Sequence, residues 1–491
     1  MECLVKLQKR PKFIDAIEKF QLSGAYPVFF AVLCAISGLG NKYVYLPIIS
    51  VLALSILFSV FFVRDNKVFI TPIFMIYYAL GTDSPKAFVD SKGNVTAAFD
   101  PDGFMGICIL AAIIVIPFLI RFITDGSIAY AFKNRGITFY GIAGLNIAIL
   151  LGGIFSEYWS PVNIAYGFAL IAGLDMFYLV LYPTVKRADR TIITYLCRIL
   201  VLTCLLIATQ VILLVLKLNE QGLFLYFSPW NGRWVIQREY VAMSWGISTI
   251  IGASSVVGIP AALFLAKQER FPALYYLAAL VMWGGAALTN SRSSMLAGLA
   301  FLIVGIIIIS FSGKNKRCNL MFSISLVSVV ILTFVLACRE LINSEHREEI
   351  LYGLSTLLER FKSVDDRISI YDAGIKDYLI APIFGVGWNK GALSPELRFN
   401  NFYSNMYHCI VIQMGASAGT VGLLALIFHV KDIFILAFKR ISLDRIFLLS
   451  IPAIILLMSL VDNFIFYLNI QIFYVAFLAL AEKHLLLSDT E

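Results

Sequence analysis

An all-α polytopic membrane fold is predicted by three observations. The 491-residue chain is 60% hydrophobic and only 14% charged. Its mean hydropathy is +0.84. Apolar runs of about 20 residues, the length a helix needs to cross a bilayer, recur from end to end. Inside lipid every backbone polar group must be paired within the chain, and runs of that length pair as helices rather than as barrel strands. Aromatic residues, 14% of the chain, suit helices with rings at the membrane–water interfaces.

Residues 1–24 carry Lys6, Lys9, Arg10, Lys12 and Lys19 before the first apolar run and contain no evident cleavage site. They read as a cytoplasmic flank and not a signal peptide. Eleven transmembrane helices then follow within 25–338, at about 25–40, 44–63, 68–81, 103–123, 136–155, 161–184, 193–217, 242–266, 272–289, 293–312 and 319–338. The third is the shortest. Residues 339–405 form the one sizeable extramembrane piece, an extracytoplasmic loop. Within it 348–361 and 367–380 have helical spacing and read as helices lying on the outer surface. Pro382, Gly385, Gly387 and Gly391 then break the helix. Residues 406–491 add helices twelve to fourteen, at 406–429, 446–461 and 464–482, and a short cytoplasmic tail.

Fourteen spans give alternate loops to compare. One set carries Arg64 and Lys67; Arg121, Lys133 and Arg135; Lys186, Arg187 and Arg190; Lys267 and Arg270; Lys314, Lys316 and Arg317; and Lys431, Lys439, Arg440 and Arg445. The other short loops carry Lys42 in one and no basic residue at 156–160 or 462–463. The positive-inside rule then puts both termini in the cytoplasm. The net charge of +8 is accounted for by these loops facing anionic lipid and does not require nucleic acid. The eight cysteines lack CxxC or His-partnered metal spacing and read as small apolar residues within helices.

This topology collects a polar constellation on the outer face. In "WGGAALTNSRSSMLAGLAFL" (283–302) a hydroxyl-rich turn holds Arg292 between two apolar segments. Arg233 and Arg238 lie in the outer segment 218–241. Arg367 lies in the large loop, and His408 stands at the outer start of helix twelve. A guanidinium presents a planar, permanently charged fork that matches phosphate oxygens. A histidine can accept a proton near neutral pH. Taken singly, an arginine such as Arg292 is more often a headgroup-facing snorkeller and a histidine such as His408 more often structural, and it is their conjunction on one face that points to a site. The Asp100/Asp102 pair in "FDPDG" fits helix-start chemistry better than a metal site. Asp175 and Arg198, within spans six and seven, fit a functional site or a mutual ion pair. Tyr403, Tyr407, Trp388 and Trp230 offer surfaces on which a sugar could stack.

Three segments resemble one family. "TNSRSSMLAGLAFL" looks like the Ser-Arg hairpin of the O-antigen polymerase and O-antigen ligase superfamily. "RISIYDAGIKDYLIAPIFGVGWNKG" looks like its outer-loop segment: an Arg, an amphipathic helix, a Pro and a Gly-x-Gly turn. "HCIVIQMGASAGTVGLLAL" resembles its following helix, which begins with His and carries Gly-x-x-Gly eleven residues on, here Gly419 and Gly422. The motifs span about 288–425. Two positions depart from the pattern: Cys409 follows the His where the family often has Asn, and Ser293 follows the Ser-Arg where Gly is common.

The resemblance implies a GT-C-like membrane glycosyltransferase needing neither metal nor cofactor, in the bacterial cytoplasmic (inner) membrane. The donor and acceptor it implies are polyprenyl-pyrophosphate-linked oligosaccharides, with a chain-length regulator protein as a further partner. It makes His408 the general base and Arg292 a pyrophosphate ligand. Arg233 or Arg238 would be a second such ligand, with Arg233 preferred after its Asn-Gly, and Arg367 would help cover the site. A polymerase of repeat units is preferred to a ligase that moves glycan to lipid A core or protein, because fourteen spans exceed what a ligase needs. A flippase or transporter of the same lipid-linked glycan would instead place its charges at mid-membrane positions such as Asp175 and Arg198. A purely structural scaffold would explain the spans and leave 339–405 without a role.

Overall fold

In the computed structural model, residues 11–40, 42–80, 115–222, 224–228, 233–236, 240–243, 246–269, 271–312, 365–388 and 407–488 are described, with scattered positions between 317 and 335. The helices are α1 Lys12–Gln21, α2 Ala25–Gly38, α3 Lys42–Phe62, α4 Ile70–Met75, α5 Val115–Thr124, α6 Ser127–Lys133, α7 Phe139–Ile154, α8 Pro161–Arg187 and α9 Thr191–Glu220. They continue with α10 Ser248–Val256, α11 Ile259–Gln268, α12 Pro272–Leu288, α13 Arg292–Ser312, α14 Asp365–Ile380, α15 Ile410–Phe438, α16 Leu443–Ser459 and α17 Leu468–Ser488. Among the described residues seven helices are long and apolar enough to cross a membrane, or up to nine if each of two bent pairs is one span. The bent pairs are α1 with α2, at 74°, and α5 with α6, at 58°. Apart from those scattered positions the expected helix at 319–338 lies outside the described residues, as do the loop helix at 348–361 and the Asp100/Asp102 pair.

Two expected elements are built differently. The segment expected as one helix at 68–81 is a 3-10 turn, the short α4 around Pro72, and a second 3-10 turn, since Pro cannot supply the backbone N–H a continuous helix needs. The segment 218–241, expected as loop in an all-α chain, holds an antiparallel hairpin, β1 Leu225–Ser228 with β2 Arg233–Ile236, in which Ser228 pairs with Arg233. Leu-Tyr-Phe-Ser and Arg-Trp-Val-Ile are rich in the aromatic and branched residues that strands favour.

The bundle has two distinct ends. Lys267 of α11 pairs with Asp444 of α16, and Lys483 of α17 donates to the carbonyls of Lys186 and Ala188 at the end of α8, at 3.0 and 2.6 Å. The exposed Arg198 pairs with Glu269 at 2.6 Å, and Asp175 accepts a hydrogen bond from Asn146 instead. Arg198 and Asp175 therefore do not pair with each other. Lys67 reaches Asp189 at 3.2 Å, and hydrogen bonds from Thr191 and Lys67 hold that carboxyl below its ordinary pKa. The Lys267, Lys483, Arg198 and Lys67 contacts lie at the basic end, and Asp175 lies midway along α8. The opposite end gathers the C-termini of α7, α12 and α16 and the N-termini of α8, α10, α13, α15 and α17.

At that opposite end α7 and α15 run antiparallel and in close contact. A Cβ on Gly152 would stand 2.7 Å from the Ser417 carbonyl oxygen. Nearby, α15 is broken at Gly419, whose φ of 63° and ψ of −155° are not helical. This conformation is open essentially only to glycine. The break leaves room for a second piece of chain. The Thr420 and Val421 N–H groups donate to the carbonyls of Pro382 and Ile383, at 2.7 and 3.3 Å, and Val386 N–H donates to Ala416 at 2.7 Å. A Cβ at 419 would meet the Ile383 backbone at 2.3 Å. The Pro-x-x-Gly-x-Gly turn is thus seated in the kink, and its Trp388 is buried, with the indole N–H on the Ile149 carbonyl at 2.8 Å.

Gly419→Ala should combine a backbone cost of about 1–3 kcal/mol with a clash against a fixed turn. The purified protein should unfold at lower temperature by several degrees. Gly284→Ala, where an added Cβ meets nothing within 4 Å, should not lower it. Equal behaviour of the two variants in a thermal unfolding assay would contradict this account of the kink.

Candidate active site

His408 is the last residue but one before α15 and has φ 51°, the left-handed region. That conformation costs roughly 1–2 kcal/mol for a residue with a Cβ. The flanking residues are held by hydrogen bonds worth about 0.5–1.5 kcal/mol each, enough together to offset it. The Tyr407 N–H donates to Gln413 Oε1 at 2.9 Å. The Tyr407 hydroxyl donates to Asp377 Oδ2 on α14. The Gln413 N–H caps the Cys409 carbonyl at 2.7 Å.

The ring of His408 is fixed by Asp462, whose Oδ1 lies 3.0 Å from Nδ1. Asp462 is buried and His408 is about one-third exposed, at 9% and 32% of the side chain. A carboxylate oxygen only accepts, so with Asp462 ionised the Nδ1 nitrogen carries the proton. Nε2 of the neutral ring is then left with its lone pair. Asp462 is itself set by the Asn463 N–H, at 2.9 Å from the same oxygen, and by the turn that ends α16, where its N–H reaches the Met458 carbonyl at 3.0 Å.

Gln413 joins these pieces. Buried at 2% exposure, its Oε1 also accepts from Asn463 Nδ2 at 2.9 Å, and its Nε2 donates to Ser417 Oγ at 2.8 Å. A continuous chain of polar contacts therefore runs from Asp377 on α14 through Tyr407 and Gln413 to Asn463, Asp462 and back to His408.

Arg292 is the first residue of α13, half-buried, at the same end of the bundle. Its turn follows from the sequence. Asn290 takes the left-handed φ of 53° that ends α12, a role Asn fills well. The hydroxyls around Arg292 are structural: Thr289, Ser291 and Ser294 are buried. Thr289 donates to the Ala286 carbonyl at 2.7 Å, and Ser291 and Ser294 share a hydrogen bond of 2.9 Å. Helix α10 packs against this turn and against the start of α17. A Cβ on its Gly252 would touch Thr289, Ser291 and Ser294, and its Ser254 hydroxyl accepts from Asn469 at 2.8 Å, seven residues after Asp462.

Of the other arginines, Arg233 opens β2 and Arg367 lies in the first turn of α14. Arg238 lies outside the described residues, as do Trp230 and Tyr403. Two expected stacking surfaces have other roles, because Trp388 and Tyr407 are buried and bonded within the fold. Asp462, Gln413, Asn463 and Asp377 did not emerge from the sequence. Their signal is faint: a Gln five residues after the His in an apolar run, and an Asp-Asn pair in the shortest loop.

Residues 277–427 match the model of the family described as O-antigen ligase. That stretch begins within α12 and ends within α15, and it contains Arg292, α14, the kink and His408. The resemblance carried by the three motifs thus coincides with the matched segment, and Asp462 lies beyond it. No curated protein matches the chain.

Gln413→Leu keeps the bulk of the side chain and leaves the Tyr407 N–H and the Asn463 amide without their acceptor. Each orphaned donor costs about 1–3 kcal/mol. The variant should unfold several degrees lower than the parent in detergent, and an unchanged unfolding temperature would contradict the network's role.

Proposed function

We propose that the protein is an inverting, metal-independent glycosyltransferase. In this reading it joins polyprenyl-pyrophosphate-linked repeat units into O-antigen, capsular or exopolysaccharide. The observation that carries it is the Asp462–His408 pair, at the same end of the bundle as Arg292, with His408 and Arg292 both inside the segment that matches the O-antigen ligase family. The basic end faces the cytoplasm by the positive-inside rule, so the His408 end faces outward. Fourteen spans with both termini cytoplasmic, and GT-C-like architecture, belong to the same reading.

His408 Nε2 takes the proton from an acceptor hydroxyl as that oxygen attacks the donor's anomeric carbon on the face opposite the leaving group. The bond from that carbon to the pyrophosphate breaks, the pyrophosphate leaves on its polyprenyl carrier, and the configuration inverts. Asp462 keeps the imidazole in the tautomer that can accept and stabilises the imidazolium formed, as an orienting carboxylate does in other base catalysis. Arg292, with Arg233 or Arg238, binds the pyrophosphate and offsets the charge that develops on it, since fixed cations aimed at a leaving group lower the barrier. Arg367 and the 339–405 loop cover the site.

A second reading, ligation of finished glycan to lipid A core or protein, is favoured by the family's own description. One experiment separates the two. A strain lacking its own copy is complemented with His408→Ala or Arg292→Ala at normal membrane levels, and the surface glycan is displayed by length. Both variants should lose long chains. A single repeat left on the acceptor lipid supports the polymerase, and loss of all attached glycan supports the ligase. Normal long chains from His408→Ala would overturn both and leave the transporter.

A further inference from the structure

Helix α14 does not lie flat across the end of the bundle, as its sequence suggested. It descends beside α15 in the same direction. Gly374 lies against Tyr407 and Ile412, and the Tyr378 hydroxyl meets Thr420 Oγ1 at 3.0 Å. The Thr420 hydroxyl donates to the Pro382 carbonyl at 2.8 Å. From Ile410 to Thr420 a helix advances about 15 Å. The end of α14 and the turn after it are therefore level with the second and third turns of a membrane span. They are also level with the end of α7, where the Phe384 and Phe155 rings lie 5.3 Å apart, tilted by 40°.

At that depth α14 turns apolar side chains away from the protein. Ile375, Leu379, Ile380 and Ile383 are 52–69% exposed. The face continues into the exposed Leu424, Ile427 and Phe428 of α15, a helix long and apolar enough to cross a membrane. Polarity is graded along α14 as well. Asp365 and Asp366 begin it. Lys376, the last cation, pairs back toward the start with Asp372 at 2.6 Å, as a snorkelling lysine does. The last turn has no exposed charge, because Asp377 is buried under Tyr407.

We infer that the C-terminal half of α14 and the turn at 381–384 are seated in the bilayer leaflet at the His408 end, with Ile375, Leu379, Ile380 and Ile383 against phospholipid acyl chains. The occupant is lipid and not a protein partner, because the face continues that of a membrane span and the last turn of α14 carries no exposed charge. This seats in lipid the helix that bears Asp377, so the helix held by Tyr407 beside His408 is itself anchored in the membrane. The inference does not depend on the transferase reading.

The test needs no activity. A benzophenone amino acid is incorporated at 379, or at 372, in the otherwise unaltered chain, and cells are irradiated. Position 379 should give a lipid adduct by mass spectrometry and 372 should give little. A protein adduct at 379 would overturn the inference in favour of a docking face. Single cysteines at 369, 372, 379 and 383 are then placed in a background with native cysteines replaced by serine. In open membrane sheets, where a charged maleimide reaches both faces, 379 and 383 should react at least tenfold more slowly than 369 and 372. Equal rates would also overturn it.

Discussion

One buried carboxamide ties the candidate site together. Gln413 sits one turn inside α15 and spends its oxygen on two donors, the Tyr407 backbone and the Asn463 side chain. One donor precedes His408 and the other follows Asp462, so a single side chain fixes the spacing of the histidine and the carboxylate that orients it. A buried polar network is stabilising only when its members are satisfied. Here Ser417 accepts from Gln413 Nε2, and the Asn463 N–H and the His408 ring share Asp462 Oδ1, while Asn463 Oδ1 is buried with no hydrogen-bond partner among the described residues. The left-handed backbone at His408 persists because the residues on either side of it are already committed.

Packing lower in α15 supports this arrangement. The break at Gly419 frees backbone donors that would otherwise serve the helix, and the turn after α14 supplies their acceptors. The turn cannot leave without orphaning those donors, nor can α15 straighten without striking the turn. Since α14 also carries Asp377, the acceptor of the Tyr407 hydroxyl, α14, the kink and the histidine are one mechanical unit. A displacement of α14 would reach His408 through this path.

Much of the frame was legible in the sequence because lipid imposes simple rules. Long apolar runs gave α3, α7, α8, α9, α12, α13 and α16 within a few residues, while α15 and α17 run on to Phe438 and Ser488, well past the ends expected at 429 and 482; Asn290 and Ser291 marked the hairpin before Arg292. The hairpin at 225–236 was not legible, since short strands in a loop give little periodic signal. Neither was the direction of α14: its spacing predicts an amphipathic helix, and only Gly419 decides where it can dock. Within the site, His408 and Arg292 stood out as rare ionisable residues beside apolar helices. Asp462 did not, because a carboxylate in a two-residue loop looks like ordinary turn chemistry until the fold brings it to the histidine 54 residues before it. Asp175 and Arg198 looked like a pair because they share a membrane depth in the sequence, and the packing of α7 and α11 gave each a nearer partner.

The central claim is that Asp462 orients His408 for proton abstraction. It is tested most directly by steady-state kinetics of Asp462→Asn, reconstituted in lipid nanodiscs with a synthetic polyprenyl-pyrophosphate-linked repeat. The amide preserves size and the contact to Asn463 but can hold the imidazole in the wrong tautomer. The account predicts that kcat falls by about 10²–10⁴ while KM stays within a few-fold. An Asp462→Asn enzyme with the parent kcat would contradict it.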